Sequence, residues 1–273
     1  MTEEKLLEKV KKIAEQAGRE ILEVYHATGP VDVDWKADDS PLTEADRRAD
    51  SHIVTALQEL TPDIPVFSEE SEAVSFELRS SWKQYWLVDP LDGTKEFINR
   101  NGEFTVNIAL IREGDPLMGV VHVPVSGVSY AGLVGRFAYR QDHDSEPHMI
   151  QTSPMSKQSV RVRVVASRRH RGELLGKLLD RLGADFANVE QVSMGSSLKL
   201  CLVAEGKADL YPRLAPTSEW DTAAAQAVLH AAGGQVIDNQ FNVLRYNQKN
   251  DLLNPFFFAI GDISFHWSTY LAV

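Results

Sequence analysis

Four acidic segments lie far apart along the chain: Thr43-Glu44-Ala45-Asp46, Ser68-Glu69-Glu70, Asp89-Pro90-Leu91-Asp92-Gly93-Thr94 and Glu219-Trp220-Asp221. The third is the densest in chemistry. The apolar run 85–88 reads as a buried strand ending abruptly at Asp89, where Pro90 fixes a turn and Asp92 follows. Gly93 then gives the backbone room before Thr94-Lys95-Glu96-Phe97 opens a helix. Such a turn can aim two carboxylates and the Leu91 carbonyl at one point. Hard cations such as Mg²⁺ take few, all-oxygen protein ligands of this kind and complete their shell with water and substrate phosphate. The N–H groups of Gly93 and Thr94, at a helix start, suit a phosphate oxygen. The same residues also suit an ordinary strand–turn–helix connection.

The other three segments carry equally plain readings. Glu69, after the apolar stub Val66-Phe67, can bridge metals or stand in a solvated acidic loop, and Glu70 is its alternative as the bridging ligand. Thr43 with Asp46 three residues on has the form of a capping box, while Asp46 can also bind a further metal or orient a water. Asp221 stands where a helix begins, as its N-cap or a first-turn acid favoured by the helix dipole, or as a metal ligand presented by that helix.

Other chemistries find little support. With no His-x-x-x-His pair and a lone cysteine, Cys201, a zinc site is not indicated, and an internal disulfide is impossible. Neither a Gly-x-Ser-x-Gly elbow nor a Gly-x-x-x-x-Gly-Lys-Ser/Thr loop occurs. The formal charge of −11 would repel nucleic acid over most of the surface, and no basic run offers it a stripe. An anionic small molecule would need a local reversal of that field, which bound divalent cations supply.

The elements that must position these residues follow from periodicity. Residues 3–27 carry apolar side chains at helical spacing, and a second helix begins at Thr43 and stops before Pro62 and Pro65. Residues 104–111, 117–123 and 128–133 read as an antiparallel meander. The polar stretch 141–157, with two prolines, is the expected domain boundary, dividing an N-terminal α+β domain (1–145) from a C-terminal α/β domain (146–273). Beyond it strands at 160–166, 189–192, 210–211 and 235–237 alternate with helices at 172–182, 197–205 and 221–232. The opening segment lacks the unbroken apolar run of a signal peptide, and no stretch is long and apolar enough for a membrane span, so a soluble protein is expected.

Taken in order, Asp38-Asp39-Ser40-Pro41-Leu42-Thr43-Glu44-Ala45-Asp46, Ser68-Glu69-Glu70, Trp86-Leu87-Val88-Asp89-Pro90-Leu91-Asp92-Gly93-Thr94 and Trp220-Asp221-Thr222-Ala223-Ala224 resemble the lithium-sensitive, magnesium-dependent phosphatase superfamily that includes inositol monophosphatase and fructose bisphosphatase. The continuation Lys95-Glu96-Phe97, the run 101–110, Gly195-Ser196-Ser197-Leu198-Lys199 and Tyr211-Pro212-Arg213 are similar to the CysQ-type 3′(2′),5′-bisphosphate nucleotidases. That resemblance implies a layered α/β/α/β/α sandwich and hydrolysis of adenosine 3′,5′-bisphosphate to AMP and phosphate with two or three Mg²⁺ ions. It implies a metal shell of Glu69, Asp89, the Leu91 carbonyl, Asp92 and Asp221, most of it in the N-terminal domain, and Asp46 with Thr94 as the pair that orients and deprotonates the attacking water. Substrate contacts are implied at Glu69, Leu91, Asp92, Gly93, Thr94 and Asp221, and on the nucleotide side at Ser167, His170, Gly195 and Lys199. Lys199 also reads as a solvated helix lysine, and His170 as a surface residue among Arg168, Arg169 and Arg171. An inositol or sugar phosphate phosphatase of the same superfamily and a non-catalytic nucleotide or Mg²⁺ sensor are the rival readings. A cytoplasmic enzyme is implied, with peripheral association at the inner membrane left open. The insertion 141–146 and the tail 256–273 carry no assigned role.

Overall fold

The computed structural model describes residues 1–27, 33–35, 41–72, 74–156, 159–166 and 173–271. The chain opens with helix α1 (Glu3–His26), a short hairpin β1 (Val33–Trp35) and β2 (Pro41–Thr43), then α2 (Glu44–Leu60), β3 (Val66–Ser68) and α3 (Phe76–Arg79). Next come β4 (Gln84–Asp92), α4 (Thr94–Ile98), β5 (Thr105–Arg112), β6 (Asp115–Val123), β7 (Val128–Leu133), β8 (Phe137–Gln141) and β9 (His148–Met149). The remainder is β10 (Arg161–Ala166), α5 (Glu173–Asp185), β11 (Asn188–Ser193), α6 (Leu198–Ala204), β12 (Leu210–Arg213), α7 (Trp220–Ala231), β13 (Gln235–Asp238), β14 (Phe257–Ile260) and α8 (Ser268–Leu271). No helix among the described residues is long and apolar enough to cross a membrane.

Strands β3 to β9 form a seven-stranded sheet in sequence order, parallel only between β3 and β4. The second sheet has the order β11-β10-β12-β14-β13. Its parallel half, β11-β10-β12, matches the expected alternation; β14, antiparallel to both β12 and β13, does not. The tail left without a role therefore supplies an interior strand. Four apolar residues with no period, Phe257–Ile260, suit a strand covered on both faces, a pattern too short to separate from a buried turn in sequence.

Alternation along β4 shows why the molecule is layered. Trp86 and Val88 face the helices α1 and α2, packing with Leu7, Ile21, Ile53 and Leu57. Tyr85 and Leu87 face the other way, into a core shared with α6, α7 and the inner face of the second sheet. The outer face of that sheet packs Val162, Val164 and Phe258 on α5 and on Trp267 and Leu271. Helix pair, sheet, helix pair, sheet and helix pair make the α/β/α/β/α sandwich. Each fully buried Leu, Ile or Phe on these faces contributes about 1.5–3 kcal/mol.

Helix α7 is the central layer and is buried nearly all round from Thr222 to Leu229. It lies close against β6 and β7 because both sides are small. A Cβ on Gly119 would fall 2.2 Å from the Ala224 carbonyl oxygen, and one on Gly132 would fall 2.7 Å from Val228 Cα. This close seat sets the position of the α7 N-terminus, and with it Asp221. The seven-stranded sheet continues past Glu146, through β9 on β8, so the stretch 141–157 hands the chain from one sheet to the other.

Candidate active site

β4 does not stop at Asp89, as its sequence suggests, but continues to Asp92 through a bulge. Asp89 pairs with Asn107 and Asp92 with Thr105, so three steps on β4 oppose two on β5. In a regular strand residues three apart point to opposite faces. The extra residue at Pro90-Leu91 cancels that and brings both carboxylates to the face that carries Thr105 and Asn107. Proline is tolerated there because a bulge frees it from donating to the ladder. Gly93 follows at φ +97° as the N-cap of α4, a left-handed conformation that glycine adopts without strain.

Asp46 serves two partners at once. Its Oδ2 closes the capping box, accepting from Thr43 N at 2.7 Å and Thr43 Oγ1 at 2.5 Å. Its Oδ1 lies 3.3 Å from Thr94 Oγ1, which is also 3.4 Å from the Leu91 carbonyl oxygen. The cap of α2 and the partner of Thr94 are therefore the same side chain. Burial raises the Asp46 pKa above the ordinary carboxylate value, against the hydrogen bonds from Thr43 and Thr94.

Asp89 is buried, with Oδ1 accepting from Leu91 N at 3.1 Å. Burial, and then the neighbouring charges of Glu69, Asp92, Asp221 and Asp46, hold its pKa well above the usual range. Asp221 sits in the first turn of α7, not at its cap, which is Glu219; its Oδ2 accepts from Ser218 N at 3.0 Å. Burial and then Asp92 push its pKa up to about 8. Glu69 follows β3, and its N–H donates to the Val88 carbonyl, which ties it beside the end of β4. The five predicted acids thus gather within electrostatic reach of one another; Glu70, the next residue along, also follows β3.

Among the described residues no group of three or more His, Cys, Asp or Glu side chains is placed to hold a metal ion. Asp46, Asp89, Asp92 and Asp221 each hold an oxygen on a protein donor. The donor set still fits hard cations. It is all carboxylate and carbonyl oxygen, and the neighbours that act on buried Asp89 are all acids. Like charges gathered out of water need a counter-charge.

A cavity of about 350 Å³ adjoins this corner, lined by Asp92, Gly93, Gly195, Lys199 and Asp221 among others. Lys199 is not a solvated lysine: it is 6% exposed, donates to the Ser196 carbonyl at 2.6 Å and lies over the Tyr211 ring at 5.5 Å. Burial lowers its pKa to about 8, opposed by Asp92, Glu96 and Asp221. Gly195 N donates to Glu103 Oε2 at 2.8 Å, and a Cβ there would crowd Glu103 at 3.0 Å. Glu69, Asp89, Leu91, Asp46 and Thr94 do not line this cavity. Ser167 and His170, with the three arginines around them, lie outside the described residues.

Sequence reasoning gave no role to several polar residues of the site. Arg213 ends β12 in the cavity wall, its guanidinium donating to the Ala215 and Pro216 carbonyls. Asp92 Oδ2 accepts from Ser196 Oγ at 2.7 Å, Ser197 N at 2.6 Å and Ser197 Oγ at 2.8 Å. Thr105 Oγ1 reaches Ser196 Oγ at 2.6 Å. A polar pair at a helix start, Ser196-Ser197, and polar breaks in an otherwise apolar strand, Thr105 and Asn107, were the available signals.

Residues 2–256 match the inositol monophosphatase family. The chain is 47% identical over 261 residues to the 3′(2′),5′-bisphosphate nucleotidase CysQ of Escherichia coli (strain K12), covering 92% of this chain and 98% of that one. It is 38% identical to the protein of the same name from Haemophilus influenzae, covering 97% and 96%. Among solved structures it resembles CysQ from Bacteroides thetaiotaomicron, with a TM-score of 0.81 at 42% identity over 94% of this chain and 97% of that one. The inositol monophosphatase from Zymomonas mobilis, 23% identical with a TM-score of 0.75 over 100% and 98% of the two chains, shares the fold.

Proposed function

The chain belongs to the inositol monophosphatase family, and from that premise we propose that it is a metal-dependent phosphomonoesterase that hydrolyses adenosine 3′,5′-bisphosphate to AMP and phosphate. The observation that carries the substrate is the 47% identity, across 92% of the chain, to a protein named a 3′(2′),5′-bisphosphate nucleotidase. The lining of the cavity supports it. It presents both carboxylates, Asp92 and Asp221, and cations, Lys199 and Arg213, as a ligand carrying two phosphates would require.

In this reading Glu69, Asp89, the Leu91 carbonyl, Asp92 and Asp221 would hold two or three Mg²⁺ ions, with Glu69 in preference to Glu70 among them. When bound, such ions supply a hydroxide-like water near neutral pH, charge for the leaving oxygen and neutralisation of the phosphoryl oxygens. The protein's own part begins with Asp46 and Thr94. Thr94 Oγ1 donates to Asp46 Oδ1 and thereby takes a water proton onto its own oxygen's lone pair, passing its hydroxyl proton to the carboxylate. The capping box fixes the carboxylate for that role, and burial raises its proton affinity in the useful direction. The N–H groups of Gly93 and Thr94 face the phosphoryl group. Lys199, with Gly195 and, beyond the described residues, Ser167 and His170, meets the nucleotide.

Adenosine 3′,5′-bisphosphate is the small-molecule partner, and nucleic acid is not a substrate on charge grounds. A cytoplasmic setting, with peripheral contact at the inner membrane as an extension of it, accords with the lone buried Cys201. Phosphate release measured over adenosine 3′,5′-bisphosphate, inositol 1-phosphate and a sugar bisphosphate, with and without Mg²⁺, tests the reading. Turnover of the nucleotide should dominate and require the metal. Faster turnover of inositol 1-phosphate would make this an inositol phosphatase, and no single-turnover release at all would leave a sensor.

A further inference from the structure

Ser197 stands at a junction that the reaction above leaves unused. It is 2% exposed and caps α6. Its hydroxyl oxygen lies 2.8 Å from Asp92 Oδ2, 2.7 Å from the Asp221 carbonyl oxygen and 2.9 Å from Asn107 Nδ2. A hydroxyl has one proton to give, and an amide NH₂ can only donate. Asn107 therefore occupies a lone pair of Ser197 and leaves the proton to point at Asp92 or at Asp221. Asn107 itself is 1% exposed, and by register its side chain shares a sheet face with Asp89 and Asp92. Its Oδ1 is buried without a hydrogen-bond partner, and a water would satisfy it there.

We propose that Asn107 and Ser197 are a positioning pair that presents Asp92 to the metals. Asn107 turns the hydroxyl; the hydroxyl and the Ser197 N–H hold Oδ2; Oδ1 is then the oxygen directed to a cation. The pair also joins the halves of the site, because Asn107 lies on the first sheet, Ser197 at the start of α6, and the second acceptor is the backbone of the residue that carries the Asp221 carboxylate. A cation on Asp92 weakens Oδ2 as an acceptor, and the Asp221 carbonyl is the alternative target 2.7 Å away. The bond therefore links ligand-bearing segments 129 positions apart on the chain (221 − 92). Partners outside a metal's own ligands fix ligand direction and are worth about 10–100-fold in affinity.

The inference rests on the metal-dependent reading, and its test separates the two. Mg²⁺ affinity is measured by calorimetry without substrate for the wild type, Ser197→Ala, Asn107→Leu, the double variant and Ser197→Thr, each checked for folding by circular dichroism. The single variants should bind Mg²⁺ about 10-fold more weakly. The double variant should be no worse than the poorer single, because the residues act as one unit. Ser197→Thr keeps the hydroxyl and should bind nearly as the wild type does, which keeps the test open if the alanine or leucine variant unfolds. In assays of the singles, kcat should recover as Mg²⁺ is raised. Unchanged affinity in both singles, additive losses in the double variant, no rescue by threonine, or a kcat loss that persists at saturating Mg²⁺ would each overturn the pair. A wild type that binds no Mg²⁺ would instead overturn the metal-dependent reading itself, and this inference with it.

Discussion

The cavity's carboxylates, its acidic wall, and its cations, its basic wall, are held at least partly out of water and shifted in opposite directions. On the acidic wall, burial and then Asp92 push Asp221 up to about 8, and Asp89, which does not line the cavity, is held well above the ordinary carboxylate range by burial and its acidic neighbours. On the other, burial lowers Lys199 to about 8, with Arg213 adding to the effect. Both walls keep charged groups where water cannot stabilise them, and each favours the opposite ligand charge: cations at the carboxylates, an anion at Lys199. The contrast lies in how they are held. The carboxylates sit on a strand bulge and helix starts, each bonded to backbone or hydroxyl donors, whereas Lys199 is anchored by a carbonyl and an aromatic face. In the proposed reading the acidic wall serves reaction geometry and the basic wall recognition, and substitutions should separate kcat from KM along that line.

The largest effect should come from the acidic wall. Asp92→Asn should lower kcat by about 10³-fold or more, since a charge-bearing ligand at the reacting phosphate is lost while its shape remains. Near wild-type kcat would remove Asp92 from the metal shell. Thr94→Ala should follow, with kcat down by about 10²-fold or more and KM little changed; a change confined to KM would make Thr94 a binding residue. The basic wall should answer differently. Lys199→Met should raise KM for the bisphosphate by about 10–100-fold, the worth of a charge-assisted hydrogen bond, with a small change in kcat. A kcat collapse in that variant would erase the division between the walls.

That division was partly legible in the sequence. Asp46, Asp89, Asp92 and Asp221 could be named because their order along the chain resembles a family; singly, each also suits a cap or a turn. The layered sheets followed from the same resemblance and from periodicity in residues 3–27 and 104–133. The bulge was not legible: Pro90 reads as an end of strand, and only pairing with Thr105 and Asn107 shows that β4 continues. Burial of Lys199 was hidden as well, because its neighbours Leu198 and Leu200 suit any helix, while the face it occupies is decided by α7 and β12. Strand β14 was missed because an interior strand of four residues has no period to detect. Ser197 and Asn107 lie 90 positions apart, and nothing local links them.

The smallest effect is on stability, and it sets the acidic wall against the buried histidines. Asp221 has an ordinary value of 3.8 and about 8 in the folded chain, and Asp89 is shifted the same way. Between those values the folded state binds more protons than the unfolded one, so their contribution to stability is full below pH 3.8 and is lost as pH rises toward 8. His122 and His230 act in reverse. Burial lowers both from 6.5 to about 4, so their contribution is full above pH 6.5 and is lost as pH falls toward 4. Lys199 contributes only above about pH 8. The window between about pH 6.5 and 7.5 therefore isolates the carboxylates, which include Glu219 outside the acidic wall, pushed by burial up to about 7. One proton's difference is worth about 1.4 kcal/mol per pH unit, and each kcal/mol moves Tm by about 2–4 °C in domains approaching this size. In EDTA, Tm should fall by a few degrees across that window; Mg²⁺ should reverse the fall, because the ion takes the place of the protons. Asp89→Asn should flatten the slope while leaving the loss below pH 6.5 in place. A slope that neither Mg²⁺ nor Asp89→Asn reduces would mean that Glu219, and not the acidic wall, holds the folded chain's extra protons in this window.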